Sequence, residues 1–246
     1  MKNNNKNYIL TIETTSEICG VSIVIDNKVL YENNIDIGLN HSVTLFDNIY
    51  NSLKKVGITM DNIDTIKISN GPGSFTGIRI GIAAGLGLSK LYNNKIEYVD
   101  TLDSLAHNIR LKSKKTYKTQ NNIKVNNNLY VLSLIDAKVD RVYSALYNYN
   151  NLNKLSCDTI INVYDLCNIL NKYFISSNIT FLLIGNGYLK YKDIFKDELK
   201  IKYKTFENIS LLNASSLAFT NGKISSIPYT NYLMASKAER DRQNNI

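Results

Sequence analysis

Asn70-Gly71-Pro72-Gly73-Ser74-Phe75-Thr76-Gly77-Ile78-Arg79-Ile80-Gly81 is the stretch whose reading decides the fold. Just before it, Thr65 to Ser69 reads as a short strand of alternating apolar residues; just after it, Ile78 to Tyr92 reads as an apolar helix rich in small residues. The glycines therefore sit at a strand-to-helix turn. Two readings of that turn stay open. Its amides and the start of the helix can face an anion, with Ser74 and Thr76 supplying hydroxyls or an N-cap. Alternatively, the glycines only allow a tight turn and close helix packing.

Working outward, Tyr8 to Ile12, Gly20 to Ile25 and Lys28 to Asn33 are apolar-rich strand candidates, with Asp26-Asn27 as a two-residue hairpin turn. A helix follows, with Ser42 as N-cap, Leu45, Phe46, Ile49, Tyr50 and Leu53 as its apolar stripe and Gly57 as its end. Beyond the glycine turn come a strand from Lys95 to Val99 and a helix from Asp100 or Thr101 to about Arg110. The second half repeats this pattern loosely. Leu129 to Ile135 and Arg141 to Asn148 pair across Asp136-Ala137-Lys138; Tyr164 to Tyr173 is a helix, Thr180 to Ile184 a strand, Gly185-Asn186-Gly187 a turn and Asn213 to Asn221 a last helix. Two copies of a strand-rich α/β unit predict two lobes, residues 1–110 and a smaller 111–246, with the final helix and tail returning to the first.

Composition narrows the function classes. The chain has 246 residues, 44% hydrophobic and 20% charged, as expected of a globular protein with a proper core. No apolar run approaches the ~20 residues of a membrane span, and Met1 to Asn7 has no apolar leader core, so a cytoplasmic protein is expected. The net charge of +8 suits a phosphate-bearing partner but equally reflects a general lysine bias. Leu111 to Asn128 reads as a mobile basic loop. Cys19, Cys157 and Cys167 lack C-x-x-C spacing, and His41 and His107 are far apart, so no metal site is expected. There is no G-x-S-x-G elbow or Walker lysine.

Four stretches, in order along the chain, resemble the TsaB (YeaZ-like) family of bacterial tRNA threonylcarbamoyladenosine proteins. They are Ile9 to Ser16, which reads I-L-T-I-E-T-T-S; Asn70 to Gly81; Asp136 to Tyr143, similar to D-A-R-x-x-x-V-Y; and Tyr232 to Arg240, similar to Y-L-R-x-S-x-A-E-R with Met234 in place of the arginine. The resemblance implies the two-lobed α/β fold of actin-like ATPases and sugar kinases (ASKHA), each lobe a mixed sheet with flanking helices and the second truncated. It implies a vestigial nucleotide site at Glu13, Thr14, Thr15, Gly73 and Ser74, with Glu13 either a ligand of nucleotide-bound Mg²⁺ or a structural hydrogen-bond acceptor. Where the longer catalytic relative TsaD has an H-x-x-x-H metal pair, this chain has Thr101 and Leu105, and a leucine cannot ligate a metal. The resemblance therefore implies a non-catalytic subunit, with no metal and no cofactor, that supports a TsaD-like transferase and docks a TsaE-like ATPase, with tRNA within the complex. Pairing is expected on Leu45, Phe46, Ile49, Leu53, Gly77, Ile78, Gly81, Ile82 and Gly85, a face that would form a homodimer when the partner is missing. The competing expectation is a self-sufficient enzyme of the same fold, a small-molecule kinase or carbamoyl transferase; a metalloprotease lacks its histidine pair.

Overall fold

The computed structural model describes residues 7–36, 41–116, 128–205 and 212–233. The first sheet takes its order from a β-hairpin meander followed by crossovers. β1 (Tyr8–Glu13), β2 (Ile18–Ile25) and β3 (Lys28–Asp36) run antiparallel. Asp26 and Asn27 both adopt positive φ, 46° and 62°, so they form the expected tight turn and set Ile25 opposite Lys28. Helix α1 (His41–Val56) and a short 3₁₀ turn lead to β4 (Ile63–Ser69), which pairs parallel with β1. Helix α2 (Phe75–Tyr92) then crosses over to β5 (Lys95–Val99), parallel to β4.

β1, β2 and β4 are buried along nearly their whole length, because helices cover both faces of this sheet. Leu10, Ile12, Ile23, Ile66 and Ile68 form its core with Leu45 and Ile49 of α1 and Ile78 and Ile82 of α2. β3 lies at the edge, and its exposed, polar sequence suits that position.

Helix α3 (Thr101–Thr116) lies between the two sheets, against β6 (Leu129–Asp136) and β7 (Arg141–Asn148). The backbone of Leu111 to Thr116 continues this helix, so the expected basic loop does not begin there; residues 117–127 lie outside the described residues. The second sheet has the order β10-β9-β6-β7-β8, with β8 (Thr159–Asn162), β9 (Thr180–Ile184) and β10 (Lys202–Thr205). Helices α4 (Val163–Phe174) and α6 (Lys192–Glu198) pack together on its far side around Phe181 and Phe195. Gly185-Asn186-Gly187 is not simply a turn. Gly185 turns at φ 107° and α5 (Asn186–Lys190) starts at once, because Asn186 Oδ1 accepts the Asp136 N–H at 3.0 Å and fixes that corner.

The chain then returns to the first sheet. Helix α7 (Ala214–Phe219) packs on β1, β2 and β3, with its first amides donating to Asn34 Oδ1 and Glu32 Oε1, and β11 (Lys223–Ile224) pairs with β5. No described helix is long and apolar enough to cross a membrane.

Candidate functional site

The glycine turn and the first hairpin are locked onto each other. Ser74 N–H donates to the Thr15 carbonyl at 2.7 Å, and Thr14 Oγ1 donates to the Gly77 carbonyl at 2.8 Å. Ser74 Oγ caps α2 by accepting the Gly77 N–H, and Thr15 gives both its N–H and its hydroxyl to Glu13 Oε1 at 2.7 and 2.5 Å. Glu13, Thr14, Thr15, Gly73 and Ser74 thus lie together, with the Thr14 and Thr15 hydroxyls and the Thr15 and Ser74 N–H groups engaged within the turn. Glu13 is fully buried and its Oε2 has no partner. Burial pushes its pKa up against the pull of the Thr15 hydrogen bonds.

The turn glycines are required by packing. A Cβ on Gly77 would overlap the Thr14 carbonyl, one on Gly81 the Thr14 hydroxyl, and one on Gly85 the side chain of Ile68. The helix can sit this low on β1 and β4 only because those positions are bare. Close helix packing, one of the two readings of the motif, accounts for Gly77, Gly81 and Gly85.

Between the lobes lies a cavity of about 140 Å³, bordered by Glu17, Leu105, Ile135, Asn186 and Leu212 among others. Ligand pockets for drug-sized molecules run to roughly 300–1,000 Å³. Glu17, which borders it, pairs with Lys138 at 3.5 Å, and Lys138 also pairs with Asp136 at 2.9 Å. Burial works against the Asp136 carboxylate, but hydrogen bonds from Lys190 and Lys138 hold its pKa low.

The helix pair α1/α2 has two faces. Leu45, Ile49, Leu53, Gly77, Ile78, Gly81, Ile82 and Gly85, all expected at a partner interface, are buried in this chain's own core; Phe46, 55% exposed, is the exception. The reason is periodicity: an apolar stripe faces the sheet first. The outward face is carried by Phe46 and Tyr50 of that stripe together with residues outside it. Val43 (75% exposed), Phe46 and Tyr50 (64%) lie along α1, and Thr76, Ala83, Gly87 and Leu91 (74%) lie along α2. A Cβ on Gly87 would meet nothing within 4 Å. A signal for it existed in the sequence: Ala83 and Gly87 repeat at four residues, out of phase with the inward set Gly77, Gly81 and Gly85.

The tail closes the other end of α2. Asn231 N–H donates to the Asn70 carbonyl at 2.8 Å, and a Cβ on Gly71 (φ 108°) would stand 2.6 Å from the Asn231 carbonyl. Tyr232 stacks on Phe75, so two motifs 150 residues apart in sequence meet in space. The rest of the Tyr232–Arg240 motif, from residue 234, lies outside the described residues.

Asn231 Nδ2 also donates to Asp100 Oδ2 and Asp158 Oδ2, at 2.9 and 2.8 Å. Lys154 Nζ sits among Asp100, Asp103 and Asp158 at 3.5, 2.8 and 2.6 Å, and Tyr147 donates to Asp103 at 2.7 Å. Three carboxylates around one ammonium leave an excess of negative charge. Burial, the hydrogen bond to Asp158 and the Asp103 charge push Asp100 up to about 8. Asp158 stays low because hydrogen bonds from Asp100 and Lys154 overcome its burial. Sequence reading passed over this cluster, since no spacing rule links residues brought together from α3, β7, a loop and the tail.

Thr101 and Leu105 lie one turn apart on α3, both buried, with Leu105 in the core between the lobes. Among the described residues no group of three or more histidine, cysteine, aspartate or glutamate side chains could hold a metal ion. Cys19 and Cys167 are buried, which pushes both thiols up to about 11.

Comparison with known proteins agrees with this geometry. The family model for TsaD, tRNA N6-adenosine threonylcarbamoyltransferase, matches residues 36–218. The tRNA threonylcarbamoyladenosine biosynthesis protein TsaB of Buchnera aphidicola (subsp. Baizongia pistaciae) is 29% identical over 215 residues, covering 85% of this chain and 90% of that protein. TsaB of Bacillus subtilis is 27% identical over 143 residues, 58% of this chain and 56% of that one. Among solved structures, a protein similar to the peptidase YeaZ, from Pseudomonas aeruginosa, superposes with a TM-score of 0.67 at 20% identity, covering 87% of this chain and 89% of that one. The fold is the two-lobed α/β fold of the YeaZ-like proteins, and the chain belongs to the TsaD-type tRNA N6-adenosine threonylcarbamoyltransferase family as a TsaB/YeaZ-like member.

Proposed function

We infer that this chain is a non-catalytic supporting subunit in the formation of N6-threonylcarbamoyladenosine on tRNA, pairing with a TsaD-like transferase through the outward face of α1 and α2. The names of its relatives supply the pathway. The observation that carries the pairing is Gly87. A glycine in mid-helix costs about 0.5–1 kcal/mol relative to alanine, and no contact with the described residues requires it. With Ala83 one turn away and Val43, Phe46, Tyr50 and Leu91 exposed alongside, the face is built for close approach of another helix.

The rest of the molecule supports a subunit that leaves the chemistry to its partner. The Thr14 and Thr15 hydroxyls and the Thr15 and Ser74 N–H groups are engaged within the chain. Thr101 and Leu105 stand where the resemblance puts the transferase's metal pair. In this reading the TsaE-like ATPase and tRNA join once the pair has formed, and the chain alone associates with itself through the same face.

Reconstitution tests it. The chain is mixed with the TsaD-like and TsaE-like proteins of its own organism, threonylcarbamoyl-adenylate, ATP and tRNA, and modified adenosine is measured. Product formation is expected to require this chain and to be lost with Gly87→Leu. Equal product without the chain would overturn the reading. Saturable ATP hydrolysis by the isolated chain would favour the self-sufficient enzyme instead.

A further inference from the structure

The outward face carries one charged group in a fixed pose. Arg79 is exposed, yet its guanidinium carbon lies 3.9 Å above the Phe75 ring centre and its Nε donates to the Tyr232 hydroxyl at 3.3 Å. Phe75 and Tyr232 stack with ring centres 4.8 Å apart. Tyr232 is itself placed by its neighbour Asn231, which is tied to Asn70, Asp100 and Asp158. An exposed arginine is ordinarily a mobile chain; this one is clamped between an aromatic ring and the tail.

The clamp leaves specific chemistry free. With the ring on one face and Nε engaged, neither terminal amino group donates to a described residue, and together they form the fork that binds a carboxylate bidentately. Among the described residues no carboxylate lies within ion-pair distance of Arg79. Arg79, Ala83 and Gly87 follow one another at four-residue steps on the exposed side of α2, so the guanidinium stands at the head of the small-residue stripe.

We propose that Arg79, held by Phe75 and Tyr232, is the polar anchor of the partner interface and receives an aspartate or glutamate of the transferase subunit. This rests on the pairing reading above. Charge favours such a partner over a second copy of this chain. The exposed ionised groups of α1 and α2 are Lys54, Lys55, Arg79 and Lys90 against Asp47, so self-pairing sets like charges together and offers a single carboxylate. Because the guanidinium is already ordered, little rotamer freedom is lost on binding. The tail then shapes the interface by holding Arg79, which makes Tyr232 a positioning residue.

The test is affinity for the purified TsaD-like subunit, measured by calorimetry with the full chain and four variants at low and at high salt, beside thermal melting of each variant alone. Arg79→Ala is expected to weaken pairing about tenfold or more, as for an interface anchor, without lowering the melting temperature. Arg79→Lys keeps the charge and loses the fork, so it should lie between wild type and Arg79→Ala. Tyr232→Phe keeps the ring and loses the hydroxyl, and is expected to weaken binding about threefold with stability unchanged. The wild-type affinity should fall with salt and the Arg79→Ala affinity much less. Gly87→Leu separates the two levels. If it abolishes pairing while Arg79→Ala binds like wild type at both salts, the pairing reading stands and the anchor is overturned. If wild type does not bind the subunit at all, both fall.

Discussion

The two sides of α2 use the same residue type for opposite purposes. On the inward side, Gly77, Gly81 and Gly85 are bare because Thr14 and Ile68 occupy the space where their Cβ atoms would be. On the outward side, Gly87 is bare with open space around it. A missing side chain is thus explained by this chain in one case and left unexplained in the other. Only the second kind points beyond the molecule.

The sharpest way to break the comparison is on the inward side. Gly77→Ala puts a methyl group into the Thr14 carbonyl, and that contact is backbone on both sides, so neither partner can rotate away. The expected loss is about 3 kcal/mol or more of stability, read by urea denaturation, and a variant that folds like wild type would mean that α2 can lift off the sheet freely. Gly87→Leu tests the outward side. The free chain should become more stable by about 0.5–1 kcal/mol, read by its urea midpoint, while affinity for the TsaD-like subunit falls at least about tenfold, or roughly 1.4 kcal/mol. Loss of stability with unchanged affinity would invert the assignment of the two faces.

A pH series sharpens the comparison further, because the tail that packs on the N-terminal end of α2 is held by a titrating cluster. The folded chain keeps a proton on Asp100 up to about pH 8, whereas its ordinary value is 3.8. Between those values the folded state binds the extra proton, so stability should fall as pH rises through the window and level off above it. Asp100→Ser retains an N-cap oxygen for α3 and removes the carboxyl, so its stability should decline less, by on the order of 1 kcal/mol across the window. Urea midpoints at successive pH values read the slope. Gly87→Leu should leave that slope as in wild type, and a changed slope there would show that the two faces are not independent.

Much of this architecture was legible because it rests on local chemistry. The Asp26-Asn27 turn, the apolar strands and the glycine turn each announce themselves within a few residues. The site was legible in outline only. A hydrophobic stripe such as Leu45, Ile49 and Leu53 says that a helix has a partner, but not whether that partner is the chain's own sheet, and here it is. Phe46, grouped with that stripe in the sequence, is exposed instead. The Asp100, Lys154, Asp158 and Asn231 cluster and the Phe75–Tyr232–Arg79 clamp depend on the tail folding back across α2, a long-range contact that leaves no periodicity to read.

The smallest expected effect is the most diagnostic of the comparison. Gly87→Ala adds one methyl group where nothing stands within 4 Å and removes the backbone freedom that glycine brings to the unfolded chain. The isolated protein should therefore become more stable by about 0.5–1 kcal/mol, read as a higher urea midpoint with an unchanged slope. The same methyl group should modestly weaken pairing with the transferase subunit, since it holds two helices apart at their closest point. Opposite signs in the two measurements would mean that the glycine is kept for the complex at the expense of the free chain. Were Gly87→Ala instead to destabilise the free chain, Gly87 would belong with Gly77 and Gly85 after all, and the outward face would lose the observation that marks it as an interface.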